Sequence, residues 1–391
     1  MPPSEDLDRV RQLASAVEPR LDDVLTPALV IDLDAVDHNL AAMIRRVGSP
    51  ARWRPHIKTV KQSRIVEALL RARVHQLKCA TLDELALALR VADGLGVVVD
   101  VMVAYPLSPP AVRGLVAIMA AHPKDTVRIV ADSPAHLRRL DAQLGELGCP
   151  DGLSVMLEVD TGMHRTGTPA DRWRDAADEL GTAHAPVSGL HGYEGHVEWE
   201  ERDAAAAGYA QLVALAKLPA LAGRIDVIVT SGTHAYHHAL ADEGLADGPW
   251  THQVSPGTIV LSDLRTAPAA ADIGLRQAAF VLTRVVSNPA PDRVTLDAGS
   301  KGIAPDRPAP GCAVLGWPGL VPLTPSEEHL PLRLERGDAP AAGEPLWLVP
   351  EHVCTTVNLY RTALYVRSGT WVDVGEVEAS GRTQLVSAFE P

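Results

Sequence analysis

A lysine closing a short β-type run, two clusters of glycine and hydroxyl residues, and a histidine two positions before a cysteine are the groups in this 391-residue sequence with chemistry to offer. Lys58 sits in Arg54-Pro55-His56-Ile57-Lys58-Thr59, between apolar and imidazole neighbours. Stripping water from an ammonium disfavours its charge, so a lysine placed there can present the neutral amine that attacks an aldehyde. A lysine that stays in water is the other reading. Ser231-Gly232-Thr233 and Gly257-Thr258 offer backbone N–H groups and hydroxyls of the kind that surround a phosphate. A phosphate-bearing aldehyde, pyridoxal phosphate, suits such a set; a dinucleotide does not, since no GxGxxG follows the first β-type run. His352 and Cys354 stand at i and i+2. On a strand that spacing turns both side chains to one face, as two ligands of a zinc with open positions require. A buried cysteine beside a surface histidine is the alternative. Cys79, Cys149 and Cys312 are too scattered to form a second pair or a disulfide framework.

Elements must hold these groups in place. From residue 26 to about 233, eight β-type runs alternate with helical patterns: 28–33, 54–59, 77–81, 97–105, 127–132, 154–160, 187–197 and 226–233. Val36, Leu40, Met43 and Val47 make one helical stripe, Thr81 with Glu84 has capping-box spacing, and Ser133-Pro134 and Thr168-Pro169 put a hydroxyl at N-cap and proline at N1. Eight βα units predict an α/β fold with a TIM-type (β/α)8 barrel over 24–270, a doubly wound sheet being the alternative. In a barrel, chemistry gathers at the C-terminal strand ends. Lys58, the stretch from Asp160 to Gly167, the stretch from His191 to His196, and Ser231 to Thr233 all fall there. Beyond about 270 the texture turns to β-branched runs with many Pro and Gly, so 271–391 reads as a β-rich domain carrying the His352–Cys354 pair. Residues 1–23 are expected to pack on either domain.

Composition narrows the function classes. Apolar residues at 46% and charged residues at 22% exclude a disordered or fibrous chain. A net charge of −13 argues against a nucleic-acid partner. No apolar run reaches the length of a membrane span, and the polar start MPPSEDLDRVRQ is unlike a secretory signal, so the expected location is the cytoplasm.

Six motifs in order carry a more specific signal: RPHIKT around Lys58, DTGMHRTG around Arg165, GLHGYEGH around Tyr193, SPGT at 255–258, LDAGSKGIAPD at 296–306 and EHVCTTVNLY at 351–360. From about residue 26 to 375 the chain resembles the D-threonine aldolase and D-serine dehydratase family, pyridoxal-phosphate enzymes of the alanine racemase fold. The resemblance implies that Lys58 forms the Schiff base with the cofactor. It also implies that Tyr193 lies against the cofactor ring, Arg165 lies near the phenolic oxygen, and Ser231, Gly232, Thr233, Gly257 and Thr258 hold the phosphate. His352 and Cys354 match the family's catalytic metal pair, and a homodimer is implied. Val60 stands where many relatives place histidine. Aldolase-type relatives often have aspartate at the second metal position and dehydratase-type relatives have cysteine, as here; a thiolate favours zinc over Mn²⁺ or Mg²⁺. The expectation is therefore a zinc-dependent dehydratase of β-hydroxy-D-amino acids such as D-serine or D-threonine, giving a 2-oxo acid and ammonia. The alternatives are an aldolase giving glycine and an aldehyde, and a non-catalytic pyridoxal-phosphate carrier.

Overall fold

Short runs of buried aliphatic residues set the first layer of the architecture. The computed structural model describes residues 3–176 and 184–390. The strands are β1 (Ala28–Asp32), β2 (Gln76–Cys79), β3 (Asp100–Val103), β4 (Thr126–Ala131), β5 (Leu153–Val159), β6 (Val187–Gly192), β7 (Val227–Thr230) and β8 (Thr251–Val254). They continue with β9 (Ala279–Ala290), β10 (Arg293–Leu296), β11 (Cys312–Val314), β12 (Leu320–Pro322), β13 (Leu330–Leu334), β14 (Pro345–Pro350), β15 (Thr362–Arg367) and β16 (Thr370–Glu376). The chain forms two units. One comprises Met1–Met43, Thr59–Ile65 and Thr258–Gly381, the other Ile44–Lys58, Val66–Gly257 and Arg382–Pro391. The expected limits of 24–270 and 271–391 differ from these, because the first strand and its helix join the C-terminal residues. No helix of the described residues is long and apolar enough to cross a membrane.

In the second unit β2 to β8 run parallel in sequence order, every neighbour paired. Both faces are covered; all seven residues of β5 are buried. Trp53 bridges to Val254 on β8 and His56 bridges to Lys78 on β2, both parallel, so residues 53–56 stand between the two edge strands and supply the eighth position of the barrel. The expected count of eight is met by a different set. The run at 28–33 is not a barrel strand: β1 pairs parallel with β15 and antiparallel with β9 in a mixed sheet. Its Leu29, Val30 and Ile31 are apolar on both faces, a pattern that suits any central strand and cannot select the sheet. The barrel strand missing from the sequence reading is β8, whose Thr-His-Gln-Val buries two polar side chains, His252 and Gln253. His252 Nε2 meets Thr230 Oγ1 at 2.9 Å and Gln253 Oε1 accepts from Arg54 at 2.7 Å.

The helix starts follow local chemistry. Thr81 caps Leu82–Leu95, accepting from the N–H of Glu84, whose carboxylate accepts in return from the N–H of Ala80. Ser133 caps Pro134–Leu147. Thr168 does not cap; its backbone bridges to Val159 and its hydroxyl donates to the carbonyl of Asp132, leaving Pro169 at the N-cap. The four residues of the first helical stripe are all buried in Leu33–Val47.

The first unit is built on the sheet order β12-β13-β10-β9-β1-β15-β16, with β14 pairing β9 and β11. Val281, Leu296, Leu332 and Leu348 pack in one cluster, and Phe280, Leu282, Trp347 and Val366 in another. Leu13, Ala16 and Val17 of the N-terminal segment enter the second cluster.

Opposite the mouth, the barrel floor is an ion network. The fully buried Arg54 donates to both carboxylate oxygens of Asp100 (2.9 Å each), to the Asp100 carbonyl at 2.8 Å and to the Leu77 carbonyl at 3.2 Å. Arg128 joins Asp100 to Asp226. Burial raises the Asp100 carboxyl, but Arg54 and then Arg128 outweigh it and hold the group below the ordinary carboxylate value. Asp100→Ala leaves the Arg54 guanidinium buried without its partner and is expected to cost about 3 kcal/mol. Because the folded value is depressed, the pair's stabilisation is full above about pH 4 and is lost as the pH falls through the lower folded value. Thermal melts between pH 7 and 3 check this; a variant whose melting temperature matches the parent at pH 7 contradicts it.

Candidate active site

The mouth of the barrel is built from the residues that follow each strand. Lys58 ends the 53–56 segment in a single 3-10 turn, Ile57–Thr59, and its backbone N–H lies 3.4 Å from Nδ1 of His56. Its side chain is exposed. The burial expected around Lys58 is found one strand over, at Lys78 of β2. That amine is fully enclosed and its pKa is lowered to about 7, first by burial and then by the positive charge of Lys58. Lys78 Nζ meets His191 Nε2 at 2.8 Å.

Arg165 rides on the loop after β5. Asp160 fixes that loop, accepting from the N–H groups of Gly162 and His164 at 3.0 Å each and pairing with the His164 ring at 2.8 Å. Gly167, at φ +91°, closes it; a Cβ there would stand 2.9 Å from the backbone nitrogen of Asp160, so only glycine fits. The loop sets the Arg165 guanidinium 4.9 Å from the centre of the Tyr193 ring, which also has Lys78 Nζ at 5.5 Å. Glu158, Asp160, Thr161, Met163, Arg165 and Tyr193 line a small hollow at this point.

Of the expected phosphate residues in this unit, Ser231 is committed elsewhere. Held at φ +53°, it donates its N–H and its hydroxyl to Oε2 of Glu194, at 3.0 and 2.9 Å. Glu194 is buried, and burial pushes its pKa up to about 7. The backbone N–H groups of Gly232, Thr233 and Gly257 have no acceptor among the described residues. Gly257 lies so close to the 53–56 segment that a Cβ would come within 2.2 Å of the His56 carbonyl. Three free N–H donors on two tight turns fit a phosphate group.

The metal pair belongs to the other unit and is not on a strand. β14 ends at Pro350; His352 is the N-cap of the short helix Val353–Val357 and Cys354 lies in that helix, so a turn and not the β pleat converges the two side chains. The histidine Nδ1 meets Asp306 Oδ2 at 2.6 Å, and Asp306 Oδ1 accepts from Thr355. A hydrogen bond to Cys354, followed by the charges of Cys354 and Asp306, raises the imidazole to about 9 against burial. Thr59 and Thr258 bring hydroxyls to 3.1 and 3.5 Å from Cys354 Sγ, so Thr258, expected at the phosphate, faces the sulfur. Imidazole, thiol and an orienting carboxylate form a donor set that fits zinc. Among the described residues, the one cluster of three metal-type ligands is Asp93, His122 and Asp125. There His122 pairs with Asp93 at 2.6 Å, while Asp125 caps the N–H of Val99.

In the barrel unit Lys78 and Glu158 escaped the sequence reading, as did the burial of His191 and Glu194 within the stretch it named; in the other unit Asp306, beside His352, escaped it. The signal of the first two is a single polar residue inside an apolar run, as in Leu77-Lys78-Cys79 and Leu157-Glu158-Val159.

Two family models match, "Alanine racemase, N-terminal domain" over residues 31–262 and "Putative serine dehydratase domain" over 278–366. Among curated proteins, the D-threonine aldolase of an Arthrobacter species is 31% identical over 91% of this chain and 93% of its own length. The D-threo-3-hydroxyaspartate dehydratase of a Delftia species is 30% identical over 37% of this chain and 36% of its own. Among solved structures, D-threonine aldolase from Filomicrobium marinum superposes with a TM-score of 0.79 at 24% identity, covering 92% of this chain and 96% of that one. A likeness to D-threonine aldolase along nearly the whole chain, on a barrel and mixed sheet of the alanine racemase type, means that this chain belongs to the D-threonine aldolase and D-serine dehydratase family.

Proposed function

We propose that this protein is a pyridoxal-phosphate- and zinc-dependent lyase of β-hydroxy-D-amino acids, and specifically a dehydratase that releases a 2-oxo acid and ammonia. The observation that carries the lyase reading is the likeness to a D-threonine aldolase over 91% of the chain; the residues at the mouth agree with it. Bound pyridoxal phosphate supplies an aldehyde for the amine of Lys58 and a sink for charge left at the substrate Cα. A zinc held by His352 and Cys354 supplies a Lewis acid. Lys58 Nζ is the exposed amine at the mouth, free to bind an aldehyde and, once released, to take the Cα proton. Arg165 and Tyr193 provide a fixed cation and a ring face, and the N–H groups of Gly232, Thr233 and Gly257 take up phosphate oxygens. Asp306 at Nδ1 leaves Nε2 of His352 as the ligating nitrogen. We take the substrate to be a free D-amino acid, turned over by a cytoplasmic homodimer.

Cys354 supports the dehydratase form of this reading, since a soft sulfur ligand selects zinc. A second reading, C–C cleavage to glycine and an aldehyde, is supported by two relatives that align over 91% and 92% of this chain, both aldolases. Incubation with D-serine and D-threonine and quantification of both product sets separates them. Excess 2-oxo acid and ammonia is the expected result, excess glycine favours the aldolase, and no turnover of any D-amino acid leaves a carrier.

Two further outcomes are expected. Borohydride reduction of the loaded protein and peptide mapping place the pyridoxyl group on Lys58; a label on another lysine overturns that assignment. Chelation, or Cys354→Ala, lowers turnover about 100-fold or more while the visible absorption of bound pyridoxal phosphate persists. Chelator-insensitive turnover removes the metal pair from the reaction.

A further inference from the structure

A lyase acting on a β-hydroxy amino acid takes one proton from its substrate and returns one to a product, and Lys58 accounts for a single proton at a time. Behind the mouth lies a second set of proton-carrying groups. Lys78 is fixed by its backbone, its N–H donating to the Pro55 carbonyl at 3.0 Å opposite His56. Across the barrel its Nζ meets His191 Nε2 at 2.8 Å. An uncharged imidazole that accepts at Nε2 carries its proton on Nδ1. His191 Nδ1 has no hydrogen-bond partner among the described residues, and neither has Glu158 Oε2. Nδ1 lies 3.8 Å from Glu158 Oε1, which accepts from the hydroxyl of Thr166 at 2.6 Å. Lys78, His191 and Glu158 are 3%, 2% and 4% exposed.

We propose that Lys78, His191 and Glu158 form a buried proton relay that stores a proton of the reaction behind the mouth of the barrel. A proton leaves Lys78 Nζ for His191 Nε2 as the proton on Nδ1 leaves for Glu158 Oε1. Lys78 ends as a neutral amine, Glu158 as a neutral acid, and His191 remains uncharged in its other tautomer, so one proton has moved across the barrel and no net charge has appeared. The second hop closes when the Nδ1 to Oε1 gap shortens by about 1 Å to hydrogen-bond length. Burial favours the discharged form at both ends, lowering the Lys78 amine and raising the Glu158 carboxyl, and it keeps His191 neutral. The groups facing Lys78 are the cations Lys58 and Arg165, the acids Glu158 and Glu194, the His191 ring and the face of Tyr193. Lys78 is thus a proton-holding, positioning residue.

The role in turnover rests on the lyase reading; the existence of the relay does not. The chain has six lysines, few enough for each to give a resolved signal in protein labelled with [ε-13C]lysine. The resonance absent from Lys78→Met is expected to titrate with a midpoint near 7 in the parent and to move lower in Glu158→Gln, which removes the acid that holds the charge. In turnover, Lys78→Arg keeps the charge but cannot release a proton, so kcat falls about 100-fold, KM changes little and the limb of the kcat–pH profile near 7 disappears. A Lys78 resonance that stays charged to pH 9, or a Lys78→Arg enzyme with the parental pH profile, overturns the relay. A Lys78 that titrates near 7 in a protein with no lyase turnover supports the relay and overturns the lyase reading instead.

Discussion

The parallel sheet of the barrel depends on four residues that do not form a regular strand. Trp53 to His56 join the edges β8 and β2 through one bridge on each side, and without them the seven-stranded sheet ends in two open edges. Arg54, fully buried, anchors this segment from below, and the indole N–H of Trp53 donates to the Pro256 carbonyl. The chain leaves the segment two residues before Lys58 and passes within van der Waals contact of Gly257, so one closure both presents the amine and shapes the second donor turn.

Charge is treated in opposite ways at the two ends of the barrel. On the floor, Arg54, Asp100, Arg128 and Asp226 are linked through short hydrogen bonds at both carboxylates, an arrangement that locks strands and has little left to react with. At the mouth, His191, Glu158 and Glu194 each keep a buried polar atom without a partner, and an amine and a carboxyl are both driven toward their neutral forms. Unsatisfied polar groups are costly in an interior, and their concentration at the C-terminal strand ends marks the end of the barrel where chemistry belongs.

Much of this was legible in the sequence because helices and central strands announce themselves by period and burial. Seven of the eight early β-type runs lie on barrel positions, and the β-branched stretch beyond about 270 supplies all the strands of the mixed sheet but β1. What escaped depended on partners distant along the chain. Thr251 to Val254 was not read as a strand, since its His252 and Gln253 are satisfied only by Thr230 and Arg54. His352 and Cys354 were legible as a pair by spacing, yet the turn that converges them and the carboxylate of Asp306, 46 residues earlier, were not. Lys78 stood unremarked in a run of apolar residues, although a lone charge in such a run is itself a signal.

We propose that the mouth of the barrel holds a phosphate-bearing aldehyde on Lys58. A crystal structure of the protein grown with pyridoxal phosphate tests it most directly. Continuous density from Lys58 Nζ into the cofactor, with phosphate oxygens within hydrogen-bond distance of the N–H groups of Gly232, Thr233 and Gly257, is the predicted result; a cofactor bound to another lysine, or a mouth that stays empty at saturating cofactor, contradicts it.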